Sequence, residues 1–140
     1  MRIGSKYPQA AKKVIPMTAQ VAYTRKILII DDDETARHAM AMAFSDYDVT
    51  TAENGLVALK LLRDESPPDL ILCDLTMPVL DGWGFCAVWH KDPILARIPV
   101  FLVSAEPDLE QIAGVLKVNG WLQKPVDLNA LELIVSGRST

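Results

Sequence analysis

Five residues of the kinds that handle phosphate and metal stand just past the ends of short apolar runs. Asp31 and Asp32 follow Lys26–Ile30 (KILII), and Asp74 follows Leu70–Cys73 (LILC). Ser104 follows Pro99–Val103 (PVFLV), and Lys124 follows Trp121–Gln123 (WLQ). Brought into one cleft, the three carboxylates oppose a single amine, an excess of negative charge that is costly at short range. A divalent cation removes it. Clustered carboxylates with room for water suit Mg²⁺, which takes one or two of them and keeps several waters.

A carboxylate beside a metal, an amine and a hydroxyl is equipped for phosphoryl transfer. Asp74 is the candidate nucleophile, giving an acyl phosphate. The metal and Lys124 neutralise charge on the transferring oxygens, while the Ser104 hydroxyl and the Ala105 N–H donate hydrogen bonds to them. Carboxylates are ordinarily ionised at neutral pH, so this chemistry needs no general base. His38 and His90 are accordingly read as surface or packing residues.

For the five to meet, the chain must place each apolar run side by side. Leu70-Ile71-Leu72-Cys73 is apolar without alternation, as expected of a strand buried on both faces of a parallel sheet. After it, Met77-Pro78 breaks the backbone and Asp81-Gly82 reopens it toward a helix. Between the strands run helical patterns: Ala36, Ala39, Met40, Ala43 and Phe44, opened by Asp33 or Glu34; then Leu56, Val57, Leu59, Leu61 and Leu62 after the Asn54-Gly55 turn. Gly82 to His90 forms a third helix with Trp83, Phe85, Cys86, Val88 and Trp89. A fourth, with Asp108 as its cap, holds Leu109, Ile112, Ala113, Val115 and Leu116. A last short one holds Leu128, Leu131, Leu133, Ile134 and Val135. Asp48–Ala52 completes the strands.

Strand and helix thus alternate five times, with connections too long for hairpins. The expected fold is α/β, a doubly wound five-stranded parallel sheet with helices on both faces. Right-handed crossovers put every carboxyl end on one edge, where open α/β sheets place their ligands.

Length and composition bound the rest. At 140 residues, half of them hydrophobic, the chain suits one domain with a proper core. Cys73 and Cys86 lack metal-ligand spacing and a disulfide framework, which points to a reducing, cytoplasmic compartment. No apolar run reaches the ~18 residues of a membrane span. Residues 1–30 carry six basic side chains and no acid, whereas the remainder holds 8 basic and 18 acidic, giving −4 overall. An acidic body argues against nucleic acid as the main ligand. Residues 1–24, with Pro8 and Pro16, read as a basic, flexible tail or extended arm rather than a signal peptide. The domain is assigned to 25–137, with no output domain.

Taken singly, each site residue has an ordinary explanation: a helix-start acid, a buried hydroxyl, a turn lysine packing its carbon chain. Their joint appearance at successive strand ends is what points to chemistry. The stretches ILIIDDDE, CDLTMPVLDGW, PVFLVSAE and GWLQKPVD together resemble the receiver domain of two-component response regulators, over about residues 25–137. The resemblance implies a flavodoxin-like (CheY-like) sheet of order 2-1-3-4-5 in a single-domain member. It implies Asp74 as phosphoacceptor, Asp31 and Asp32 as the acidic pair, Ser104 as switch hydroxyl and Lys124 as partner of the phosphoryl group. It also implies Mg²⁺ held by Asp32, Asp74 and the Thr76 carbonyl, with Asp31 acting through water, and a cis Lys124-Pro125 bond. Trp121 takes the place of the aromatic residue that turns inward on switching. It is bulkier than the usual residue there, and the Glu106–Asn119 segment is shorter than in the chemotaxis-type member.

The implied function is that of a phosphoacceptor that assists its own phosphorylation and dephosphorylation without being a turnover enzyme. A histidine kinase or histidine phosphotransfer protein is the expected donor. The helix 4–strand 5–helix 5 face would then bind a downstream protein, the chain being a monomer or a phosphorylation-dependent dimer with no nucleic-acid or membrane partner. A phosphorylation-independent interaction module is the first alternative. An aspartyl-phosphate hydrolase of the haloacid dehalogenase type ranks lower, because that class wants a second Asp where Thr76 stands.

Overall fold

Apolar runs with little polar interruption suit burial on both faces and form the three central strands of the sheet, while two strands with polar residues flank them. In the computed structural model, which describes residues 24–137, these are β1 (Lys26–Ile30), β2 (Asp48–Ala52), β3 (Leu70–Cys73), β4 (Val100–Ser104) and β5 (Gly120–Gln123). All are parallel, in the order β2-β1-β3-β4-β5. The helices between them are α1 (Glu34–Ala43), α2 (Gly55–Asp64), α3 (Gly82–Lys91), α4 (Leu109–Leu116) and α5 (Leu128–Val135). A 3-10 turn, Leu95–Arg97, precedes β4.

Successive strand residues point to opposite faces, and the two faces are different cores. Leu28, Ile30, Ile71, Cys73, Val100 and Leu102 face α2, α3 and α4 through Ala58, Leu59, Phe85, Cys86, Trp89, Leu109 and Ala113. Ile27, Ile29, Leu70, Leu72 and Val103 face α1 and α5 through Met40, Phe44, Leu131, Ile134 and Val135. The doubly wound expectation and the implied strand order both hold.

Helix starts follow from their first side chains. Asp33 accepts from the Thr35 and Ala36 N–H groups, Asn54 from Val57, Asp81 from Gly84 and Asp127 from Asn129. Asp108 departs from this pattern. It stands at the start of α4 but in the left-handed region (φ 59°), and its side chain caps nothing. With Lys117 at φ 61° closing the other end, α4 is held to eight residues.

Several of the apolar residues in the helical patterns stay at the surface: Leu56, Val57, Trp83, Val88, Val115, Leu128 and Leu133 are exposed. A short helix on a sheet buries only one stripe, and these lie outside it. The basic arm read at 1–24 lies, but for its last residue, outside the described residues.

Candidate functional site

The sheet ladder continues one step past the strands and fixes the backbone of the acids and the lysine. The Asp31 N–H donates to the Ala52 carbonyl at 3.0 Å and the Asp74 N–H to the Ile30 carbonyl at 2.9 Å. The Lys124 N–H donates to the Ser104 carbonyl at 2.8 Å. Four sequence-distant segments are therefore in register at one edge because their strands are. Lys124-Pro125 is cis.

The side chains then converge. One carboxylate oxygen from each of Asp31, Asp32 and Asp74 lies within 4.8 Å of the others. The Lys124 amine bridges the inner pair, donating to Asp31 Oδ2 at 2.8 Å and Asp74 Oδ2 at 2.9 Å. The remaining oxygens are also engaged: Asp31 Oδ1 accepts the Asp33 N–H at 2.9 Å and Asp74 Oδ1 the Leu75 N–H at 2.6 Å. Asp31 and Asp74 are buried, whereas Asp32 is exposed and has no partner among the described residues. Burial pulls the Lys124 amine down, but its hydrogen bonds to Asp31 and Asp74, and their charges, outweigh that and hold it above its ordinary value.

Three carboxylates against one amine, with an exposed Asp32 still to be partnered, make an all-oxygen donor set. That set suits a hard divalent cation such as Mg²⁺.

Beside the acids, a cleft of about 200 Å³ is lined by Asp74, Thr76, Ser104, Ala105, Glu106, Pro107 and Lys124. Ser104 is buried, and its Oγ accepts the Glu106 N–H at 3.3 Å. Glu106 was not among the residues read from sequence, yet it joins three elements. Its carboxylate accepts the Thr76 hydroxyl at 3.0 Å across the mouth of the cleft, and its carbonyl accepts the Gln123 amide at 2.9 Å. Arg37 was missed as well; it donates to the Asp31 carbonyl at 2.7 Å from the first helix. Neither directly follows a strand: Arg37 lies within α1, and Glu106 stands two residues beyond the end of β4.

Behind the acceptor the packing is close. A Cβ on Gly82 would lie 2.3 Å from the Asp74 carbonyl oxygen, so only glycine lets α3 start there. The Cys73 thiol donates to that same carbonyl at 3.1 Å. A hydrogen bond with the Cys86 thiol, and then burial, push Cys73 well above the ordinary thiol range. Both thiols are free and buried, so they act as packing groups. His38 and His90 are exposed. Trp121 is 39% exposed on β5 and is absent from the lining of the cleft. Among the described residues no helix is long and apolar enough to cross a membrane.

Known proteins share this fold. The family model "Response regulator receiver domain" matches residues 27–136. A probable transcriptional regulator ycf27 of Porphyridium aerugineum is 34% identical over 111 residues, covering 76% of this chain and 45% of that protein. The regulatory protein AtoC of Escherichia coli K12 is 34% identical over 114 residues, covering 79% of this chain and 24% of AtoC. The chain thus spans less than half the length of these relatives.

Among solved structures, the phosphorylated cyanobacterial phytochrome response regulator RcpA superposes with a TM-score of 0.71 at 31% identity, covering 82% of this chain and 91% of that one. Chemotaxis protein CheY4 of Vibrio cholerae gives 0.74 at 26% identity, covering 84% and 100%. With a parallel sheet of the same strand order and an acid cluster at its carboxyl edge, this chain belongs to the response regulator receiver-domain family.

Proposed function

We propose that this domain takes a phosphoryl group from a histidine kinase or a histidine phosphotransfer protein onto Asp74. Receiver domains are phosphoacceptors rather than turnover enzymes, bind Mg²⁺ at an acidic pocket and work with histidine kinases. The observation that supports Asp74 is its position: buried at the end of the central strand, beside the cleft, with the Lys124 amine 2.9 Å from one carboxylate oxygen.

In the reaction proposed, a carboxylate oxygen of Asp74 attacks phosphorus. The bond from phosphorus to the donor's imidazole nitrogen breaks, and its electron pair stays with the imidazole. An acyl phosphate results. Lys124 then turns from Asp74 to the phosphoryl oxygens while keeping its bond to Asp31, and Ser104 with the Ala105 N–H donates to them. Mg²⁺, held by Asp32, Asp74 and the Thr76 carbonyl with Asp31 through water, would supply positive charge to the transferring oxygens. Asp31 keeps the lysine aligned throughout.

Signalling follows from the hydroxyl. In moving toward the phosphoryl group Ser104 would draw away from the Glu106 N–H that its Oγ accepts at 3.3 Å. That frees the loop leading to α4 and lets Trp121 turn inward, reshaping the α4–β5–α5 face for a downstream protein.

Mass spectrometry after treatment with acetyl phosphate and Mg²⁺ tests the assignment. A single phosphoryl adduct is expected on the peptide containing Asp74, absent without Mg²⁺ and absent in Asp74→Asn. An adduct that survives Asp74→Asn names another acceptor and overturns the reading.

A further inference from the structure

We propose that the apolar groove between β5 and α5 is a docking site for this chain's own run Val14-Ile15-Pro16-Met17. The groove encloses about 420 Å³ between Phe101, Trp121, Leu122, Ala130, Leu133 and Ile134. Trp121 and Leu133 leave 39% and 46% of their surface in water there. β5 is also the outer strand of the sheet, with no strand beyond it among the described residues. Such an edge accepts extended chain through its unpaired N–H and C=O groups, while apolar pockets take alternate side chains.

Where the chain enters the domain selects the occupant. Arg25 donates from Nε to the Val135 carbonyl at 2.6 Å, so the described chain begins within an arginine side chain's reach of the last turn of α5. That turn adjoins Leu133 and Ile134 of the groove wall. Three strand spacings separate β1 from β5, or about 14 Å at ~4.8 Å each. Residues 18–24 cover that span when extended at about 3.3 Å per residue. The apolar run just ahead of them is Val14–Met17.

Charge acts in the same sense. Residues 1–23 carry Arg2, Lys6, Lys12 and Lys13 and no acid, whereas residues 24–137 hold 18 acidic and 9 basic side chains. The arm is therefore drawn to the body that it would line. Pro16 fits an added outer strand, where a missing N–H costs least. Seated this way, the arm competes with any protein that docks on the β5–α5 side. The inference stands apart from phosphorylation of Asp74.

Paramagnetic relaxation in the full chain tests it. A nitroxide on Ala11→Cys reacts selectively, since Cys73 and Cys86 are buried. The amide signals of Trp121, Leu122, Ala130 and Leu133 should lose intensity, while those of Leu56, Lys60 and Arg63 on α2 keep theirs. Leu133→Glu in the groove and Ile15→Asp on the arm should each abolish the selective loss. Selective loss that persists in both variants overturns the proposal, as does even attenuation, attenuation of another face, or none. In a mixture of nitroxide-bearing and isotope-labelled molecules the effect should vanish. If it remains there instead, a second copy fills the groove, and the assignment to the chain's own arm fails.

Discussion

Replacing Lys124 by methionine keeps much of the carbon chain and removes the charge between Asp31 and Asp74. Both acids are nearly enclosed, with side-chain exposures of 2% and 11%, while the lysine side chain is 25% exposed. Removing one member of a fully buried ion pair costs about 3–5 kcal/mol, because the other charge is left uncompensated. Partial exposure of the lysine screens the interaction, which brings the expected loss down to about 2–3 kcal/mol. For a domain of this size that is a fall in melting temperature of about 8–12 °C in metal-free buffer. A cation entering the carboxylate cluster supplies the charge the amine no longer does. Saturating Mg²⁺ should therefore stabilise Lys124→Met more than the wild type, by about 1 kcal/mol or more. Calorimetric melts of both proteins, with and without the metal, read both differences. A variant as stable as the wild type without metal, or an equal Mg²⁺ shift in the two, would refute the account of Lys124 as the counter-charge of this cluster.

The same lysine sets an alkaline limit. Its amine is held above its ordinary value in the folded state, so the bridge contributes fully below about pH 10.4 and is lost as pH rises through the folded value. A urea-melt series should show that loss in the wild type and not in Lys124→Met. Gly82→Ala should cost about 3 kcal/mol or more, since the new methyl meets the Asp74 carbonyl oxygen at 2.3 Å and the Leu75 Cα at 2.7 Å, neither of which can yield. Gly114→Ala is its control: nothing lies within 4 Å of the added carbon, and α4 should gain about 0.5–1 kcal/mol in the same melts. Val79 sits at φ 70° with 75% of its surface exposed. Val79→Asn should stabilise by about 0.5–1 kcal/mol, because asparagine tolerates the left-handed region that costs other residues about 1–2 kcal/mol; unchanged melts would show that the loop holds no such strain.

The centre of the sheet was legible because β1, β3 and β4 are nearly unbroken apolar runs, each closed by a charged or hydroxyl residue, whereas the outer strands DVTTA and GWLQ carry a weaker signal. Once LILC was read as a central strand, Asp74 could only lie at its carboxyl edge. Caps at Asp33, Asn54 and Asp81 were legible for the same local reason, a short polar side chain just before an apolar period. Asp108 has that signature and still fails, since the backbone there turns left-handed to enter a short helix, which no side-chain type announces. The exposed Leu56 and Val115 show the limit of composition: hydrophobicity says that a residue prefers the core, while the stripe that gets there depends on how the helix lies on the sheet. Glu106 was invisible because its role is made by the neighbours that converge on it, Thr76 from one loop and Gln123 from the edge strand.

The three tryptophans divide the molecule optically. Trp89 is sealed in the core with its indole N–H donating to the Ile98 carbonyl at 2.9 Å, so its emission changes only when the fold itself opens. Trp83 lies two residues past the cap of α3, near the loop that follows Asp74, and Trp121 lies on the edge strand; both are partly exposed to solvent. A native-state fluorescence change without unfolding therefore comes from one of those two, and Trp83→Phe and Trp121→Phe assign it to the end of the domain that holds the acid cluster or to the edge strand β5.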